Sequence, residues 1–324
     1  MENLVTQDTK VTPCDTRLVM LSAMYENGGN TVHRYLDGHP ELHVYPFESQ
    51  LGNEANVDYL SGLYPAKYRY PDFPSGVSVE GAYELFYDEE LKTRLRSPHL
   101  SKFRDVDLDL DEDERKSIFA KIMAGRPRTR AFYVAAFFEA TFGAWRNAKC
   151  TGKEGVYVGY SPVIAFDAAP FLDDFPRGHM VHVVRNPWSG YADTIKRPFP
   201  RSLDRYSWTW AMVQHRAAVY RRMHPDRFHI VRFEDLVADP RFTMSALADK
   251  IGIAFDESLL SPSWNGIALG SLRPWGTIST PTTDANIATL NELRGEQKKA
   301  IGERTAVMLP QFGYETFLSD FGRS

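Results

Sequence analysis

The sequence predicts an α/β protein, a mostly parallel sheet with helices on both faces. Three observations carry that prediction. Short apolar runs alternate with longer segments at helical spacing along the chain. The first run, Arg17-Leu18-Val19-Met20-Leu21-Ser22, is continuously apolar in its middle, as a strand buried on both faces should be. It feeds a turn, Glu26-Asn27-Gly28-Gly29, and then a helix, the opening unit of a parallel sheet.

The elements follow in order. Val32, Tyr35 and Leu36 fall on one helical face, and Gly38 with Pro40 ends that helix. A strand, glycine turn and helix N-terminus aim several backbone N–H groups at one point, which suits phosphate or sulfate. The turn lacks the G-x-x-x-x-G-K-[ST] pattern of a nucleotide triphosphatase, and a Gly-Gly pair there serves a plain tight turn equally well. Leu42 to Tyr45 is a second short strand, closed by Pro46. Glu48 stands at its tip, where open α/β sheets form their ligand crevice; the plainer fate of such a residue is a solvated loop. Residues 52–130 read as an irregular insertion with an aromatic, Pro-rich loop from Tyr64 to Pro74 and a helix from Glu112 to Ala124. Such a segment either shapes a pocket over the sheet or is merely solvated.

Ala131 to Trp145 is a buried helix, and Val156 to Val158 a strand. That strand runs through Gly159-Tyr160-Ser161-Pro162 into a helix ending at Phe175. Met180 to Val184 reads as a central strand. Arg185 follows it directly, with Asn186 as helix cap and Pro187 at the first helical position. An Arg at that place is either a second anion site or a salt-bridge partner for a helix. Leu203 to Met223 is a long helix, Phe228 to Arg232 a strand, and Phe233 opens a helix running to about Ile251. A Gly/Ser/Thr/Pro-rich loop spans Gly266 to Thr283, and Asn286 to Met308 is the last helix.

Composition narrows the function. The 324 residues fit one large domain, entered by a loose polar arm over residues 1–15. A net charge of −4 argues against a nucleic-acid partner. No apolar run is long enough to span a membrane, and the first residues have no signal-peptide core. Cys14 and Cys150 form neither a disulfide framework nor a metal knuckle, so two reduced thiols in a cytoplasmic protein are expected. The histidines are scattered without ligand spacing, so no metal is expected. A monomer and a homo-oligomer both fit.

Three motifs, in this order, resemble the sulfotransferases that use 3′-phosphoadenosine 5′-phosphosulfate (PAPS). The glycine turn closes in Leu36-Asp37-Gly38-His39-Pro40, similar to the family's 5′-phosphosulfate loop running into L-L-D-x-H-P. Val183-Val184-Arg185-Asn186-Pro187 is similar to the V-R-D-P start of the 3′-phosphate motif. Val231 to Pro240, V-R-F-E-D-L-V-A-D-P, is similar to Y-E-D-L-x-x-D-P. The resemblance implies a P-loop-like, three-layer fold and sulfuryl transfer from PAPS to a hydroxyl or amine of a small-molecule acceptor, releasing adenosine 3′,5′-bisphosphate.

Carried over residue by residue, the resemblance implies that Asn27, Gly28, Gly29, Asn30 and Thr31 cradle the 5′-phosphosulfate. Arg185 holds the 3′-phosphate, bidentately as a guanidinium prefers, and Phe233 meets the adenine. Arg273, Trp275 and Gly276 correspond to the C-terminal loop over the 3′-phosphate. Glu48 is the expected general base, with His33 and then His39 behind it. Three positions depart from the pattern. The loop cation is replaced by Glu26 or Asn27, the Lys before Ser161-Pro162 by Tyr160, and the Ser eight residues after Arg185 by Asp193, leaving neighbouring Thr194 to serve. Positive charge must then come from Arg34, Lys196, Arg197 or Arg273. A small-molecule kinase and a non-catalytic nucleotide-binding relative are the alternatives.

Overall fold

Strand β1 (Leu18–Ala23) is fully buried, and its side chains alternate between two cores. Leu18 and Met20 enter one core, Val19, Leu21 and Ala23 the other, which places β1 in the middle of the sheet. The computed structural model of the chain describes residues 14–271 and 282–321. β1 is followed by helix α1 (Gly29–Leu36), β2 (Leu42–Val44), α2 (Val79–Leu85), α3 (Glu89–Arg96), α4 (Glu112–Ala124) and α5 (Arg130–Ala144). Then come β3 (Val156–Tyr160), α6 (Ala168–Asp174), β4 (His179–Val184), α7 (Pro187–Thr194), α8 (Leu203–Met223) and β5 (Phe228–Arg232).

The five strands pair in the order β2-β3-β1-β4-β5, all parallel. β1 lies between β3 and β4, with Met20 beside Gly159 on one side and Leu21 beside Val181 on the other. Every strand therefore ends on the same rim, where the crevice of such sheets forms. One face is covered chiefly by α4 and the aromatic helix α5, whose Tyr133, Phe137 and Phe138 are buried. Val32, Tyr35 and Leu36 of α1 pack on the opposite face, as their spacing predicts. A third cluster joins Trp188 of α7 and Trp210 of α8 to the chain's last helices.

Several boundaries differ from the sequence reading, each for a physical reason. The stretch 52–130 is more regular than its composition indicates, because α2 and α3 are too short to show a clear period. Ser78 caps α2, its Oγ accepting from the Gly81 N–H at 2.9 Å. The helix read from Phe233 to Ile251 is two: α9 (Phe233–Ala238) and α10 (Pro240–Ile251). Pro240 breaks the run and starts α10, which Asp239 caps through the Phe242 N–H. The helix read over Asn286–Met308 is likewise α11 (Thr283–Asn291) and α12 (Gly295–Thr305). They meet at Arg294-Gly295, where the Arg294 N–H is taken by Gln297 Oε1 at 3.0 Å. A short α13 (Phe317–Phe321) follows. The helix read up to Phe175 begins as a single 3₁₀ turn, Ile164–Asp167, before α6. Within the loop read from Gly266, Ile267–Ala268 pairs with Ser263–Trp264 as a two-residue antiparallel ladder. Cys14, assigned to the loose arm, is buried in the main core, while residues 1–13 lie outside the described residues. No helix among the described residues is long and apolar enough to cross a membrane.

The insertion is fastened to the sheet by a buried polar triad. The Tyr45 hydroxyl donates to Asp88 Oδ1 at 2.7 Å. Arg115 Nη1 donates to Asp88 Oδ2 at 2.6 Å and Nη2 to the Tyr45 oxygen at 3.1 Å. All three side chains are inaccessible to solvent.

Candidate active site

A cleft of about 1010 Å³ opens along the carboxyl rim of the sheet. On one wall stand Gly28 to Thr31, Arg185, Asp193, Lys196, Arg197, Phe233 and Asn286; on the other, Glu48, Gln50, Lys67, Tyr68, Glu89, Glu90 and Lys102. β1, β4, β5 and α11 deliver the first wall; β2 and the insertion deliver the second.

The β1–α1 turn is built around backbone that a side chain could not share. Gly28 has φ +84°, and a Cβ there would lie 2.3 Å from the Phe233 ring. A Cβ on Gly29 would lie 2.6 Å from both the Ala23 Cβ and the Tyr160 ring. These glycines thus serve packing as well as the cleft. The first α1 hydrogen bond inside the helix runs from the Val32 N–H to the Gly28 carbonyl, and no side chain caps the N-terminus. The N–H groups of Gly29, Asn30 and Thr31 are the ones a helix leaves open, and they face the cleft with the positive end of the dipole. Gly29→Ala is expected to cost roughly 1–3 kcal/mol by overpacking. Urea unfolding checks this; an unchanged midpoint would show that the turn relaxes around the methyl.

Arg185 is buried at the end of β4 and braced on three sides. Its Nε donates to Asn286 Oδ1 at 2.7 Å, and Nη1 to the Glu26 carbonyl at 2.9 Å and Asp193 Oδ2 at 2.7 Å. Nη2 makes no hydrogen bond among the described residues, and the guanidinium lies 4.9 Å from the Phe233 ring. The cleft's other cations are also matched. Lys196 bridges Asp193 and Glu292, Arg197 pairs with Glu26, Lys67 with Glu89, and Lys102 with Glu90. Five cations therefore face five carboxyl groups across the lining. An anionic ligand must exchange with carboxylates for these cations; the N–H groups of the α1 N-terminus and Arg185 Nη2 are positive features not already engaged among the described residues.

Glu48 sits in the second wall. Its Oε2 accepts from Gln50 Nε2 at 3.2 Å, and its backbone N–H donates to Glu90 Oε2 at 3.0 Å. Burial first, and the neighbouring Glu90 charge second, push its pKa up to about 8.

Other expected residues fall elsewhere. Asn27 is inaccessible and turned into the core: its amide donates to the Tyr25 carbonyl and the Tyr206 hydroxyl, and its Oδ1 accepts from Trp210 Nε1. The left-handed Glu26, φ +58°, turns it there. Asn27 buttresses the turn rather than lining it. His33 is also inaccessible, on the buried side of α1, with Arg34 Nη2 2.7 Å from its Nδ1. Burial and the Arg34 charge hold its pKa well below the usual range, and it does not line the cleft. Arg34 is buried beside it and donates to the Tyr45 carbonyl, so it is not the replacement cation. His39 donates from Nε2 to the Ala254 carbonyl at 2.9 Å and accepts the Glu41 N–H on Nδ1, and it does not line the cleft. The Thr194 hydroxyl donates back to the Gly190 carbonyl at 2.9 Å and lies off the cleft, while Asp193, the repelling neighbour, lines it. Arg273, Trp275 and Gly276 lie outside the described residues. Lys67, Lys102, Glu90 and Gln50 were missed; for the first three only their membership of the insertion pointed toward a pocket, and for Gln50 only its place two residues after Glu48.

A family model described as the sulfotransferase family matches residues 28–257. No curated protein matches the chain. Among solved structures, the sulfotransferase domain of the olefin synthase of Synechococcus PCC 7002 is similar at 18% identity with a TM-score of 0.54, over 93% of this chain and 97% of that domain. The sulfotransferase domain from the curacin biosynthetic pathway is similar at 15% identity with a TM-score of 0.51, over 94% of this chain and 99% of that one. At these identities the likeness is one of fold, and the fold shared is P-loop-like.

Proposed function

The chain belongs to the sulfotransferase family, and on that premise we propose that it moves the sulfuryl group of PAPS to a hydroxyl or amine of a small-molecule acceptor. The observation carrying this reading is one cleft with an uncapped helix N-terminus and a buried Arg on one wall and a half-buried carboxyl group on the other. The reading takes the whole chain as one cytoplasmic domain, with the 52–130 segment shaping the acceptor pocket.

The residues fit the donor at two points and oppose it at a third. The N–H groups of Gly29, Asn30 and Thr31 suit a phosphosulfate. Arg185 has Nη2 to offer a 3′-phosphate, with Phe233 beside it for the adenine. Asp193 opposes, because its carboxylate already holds Nη1, and Lys196 offsets part of that charge. The donor, when bound, supplies an activated sulfuryl group. The chain's own residues then orient it at the helix N-terminus, and Glu48 in its ionised form takes the acceptor's proton.

Adenosine 3′,5′-bisphosphate should raise the melting temperature more than adenosine 5′-phosphate. Arg185→Ala should remove that difference, since a charged hydrogen bond here is worth roughly 1.5–3 kcal/mol. Thermal shift with both nucleotides, and turnover of PAPS against ATP over a panel of acceptors, test the reading. Equal stabilisation by the two nucleotides in the unmodified protein would sink the 3′-phosphate assignment.

A further inference from the structure

The Glu48 carboxyl is held by more of the molecule than its own strand. Glu48 follows β2 by a few residues, and Gln50 two residues on has a left-handed backbone, φ +34°. That conformation lets one side chain bridge two segments: Gln50 Nε2 donates to Glu48 Oε2 while Gln50 Oε1 accepts from the Glu89 N–H at 2.9 Å. The Gln50 carbonyl also accepts from the Asp88 N–H at 3.1 Å. The first turn of α3 is therefore tied to the Glu48 loop by both backbone and side chain. Glu90, in that turn, reaches back to accept from the Glu48 N–H at 3.0 Å, and Lys102 closes an ion pair on the other oxygen of Glu90. None of these contacts adds apolar burial. They set the position and charge surroundings of one carboxyl.

We propose that Glu90 and Lys102 are positioning residues for Glu48. Glu90 fixes its backbone and confronts its carboxyl with a like charge, and Lys102 sets how much of that charge is felt. This rests on the reading of Glu48 as the base. Glu90 makes Glu48 hold its proton more tightly and so makes it a stronger base once ionised; Lys102 opposes that and keeps an ionised fraction available. The other groups facing Glu48 are Lys67, which also lowers its proton affinity, and the hydroxyls of Tyr25, Tyr68 and Tyr160, which remain protonated in this range.

The test needs no acceptor. Protein labelled with ¹³C at the glutamate side-chain carboxyl is titrated from about pH 5 to pH 10, and the Glu48 resonance is assigned by its loss in Glu48→Gln. In the unmodified protein the midpoint is expected at about 8. Glu90→Gln keeps an acceptor for the Glu48 N–H and should lower the midpoint by about one unit. Lys102→Met should raise it by a smaller amount; that side chain is 59% exposed, so this variant keeps the test alive if Glu90→Gln misfolds. A midpoint in either variant unmoved beyond about 0.3 unit, or both moving the same way, would overturn the proposal. Activity separates it from the reading beneath it. If the midpoints move as expected but Glu48→Gln keeps its turnover, the pair still governs Glu48 and the base is another group.

Discussion

Replacing Arg115 with methionine is expected to cost about 3–5 kcal/mol of folding stability, the range for breaking a buried ion pair from one side. The substitution leaves Asp88 inaccessible to solvent with the Tyr45 hydroxyl as its remaining close donor. Burial already raises the pKa of Asp88 against the opposing charges of Arg115 and Lys92. With Arg115 gone, Asp88 takes up a proton, which caps the loss rather than abolishing it. Urea unfolding of the single variant should show a lower midpoint at unchanged slope. The double variant Arg115→Met with Asp88→Leu should recover much of the loss, because it removes the stranded charge instead of exposing it. If the single variant unfolds within about 1 kcal/mol of the unmodified protein, the triad is not what fastens the insertion. The site should feel the change too. Tyr45 precedes the Glu48 loop and Asp88 precedes Glu89 and Glu90, so the triad sits behind both segments that place the second wall of the cleft.

The sheet was legible because its strands announce themselves one at a time. A continuously apolar run such as Val19 to Leu21 fits only a strand covered on both faces, and each such run ends in a residue fit for the rim. Arg185 and Phe233 line the cleft because they follow their strands directly, so β4 and β5 fix where they stand. Asn27 and His33 show the limit of reading by position. Both lie within the stretch from turn to first helix, yet a left-handed Glu26 turns one inward and the helical period buries the other. The second wall was largely illegible. Glu90 and Lys102 gain their meaning from where α3 packs on the Glu48 loop, and that contact is tertiary, held by Gln50 and the buried triad. Next to Arg185 the sequence left two neighbours to choose between: Asp193 takes Arg185 Nη1 and lines the cleft, whereas the Thr194 hydroxyl is spent on its own helix.

Glu48→Gln is expected to lower kcat by at least about a hundredfold while leaving nucleotide binding nearly unchanged, since general-base assistance is worth roughly 10²–10⁴-fold and exists only in the transition state. The glutamine keeps an oxygen to accept from Gln50 Nε2 and keeps the backbone bond to Glu90, so geometry changes little. What it loses is the ability to take a proton. The pH profile of the unmodified protein should rise through about 8, the pH at which Glu48 ionises. Stability should run the other way. Between the usual carboxyl pKa and about 8, the folded protein holds a proton on Glu48 that the unfolded chain has released, so this group's contribution falls as pH rises through that window. Glutamine has no such proton to lose. The variant should therefore match the unmodified protein below pH 4.5 and be at least as stable above pH 8. A dead enzyme that is equally or more stable at pH 8 cannot owe its inactivity to misfolding. If instead Glu48→Gln turns over the true acceptor within about threefold of normal, Glu48 is not the base. The proton would then have to leave by another route, and His33, neutral and buried off the cleft, does not offer one.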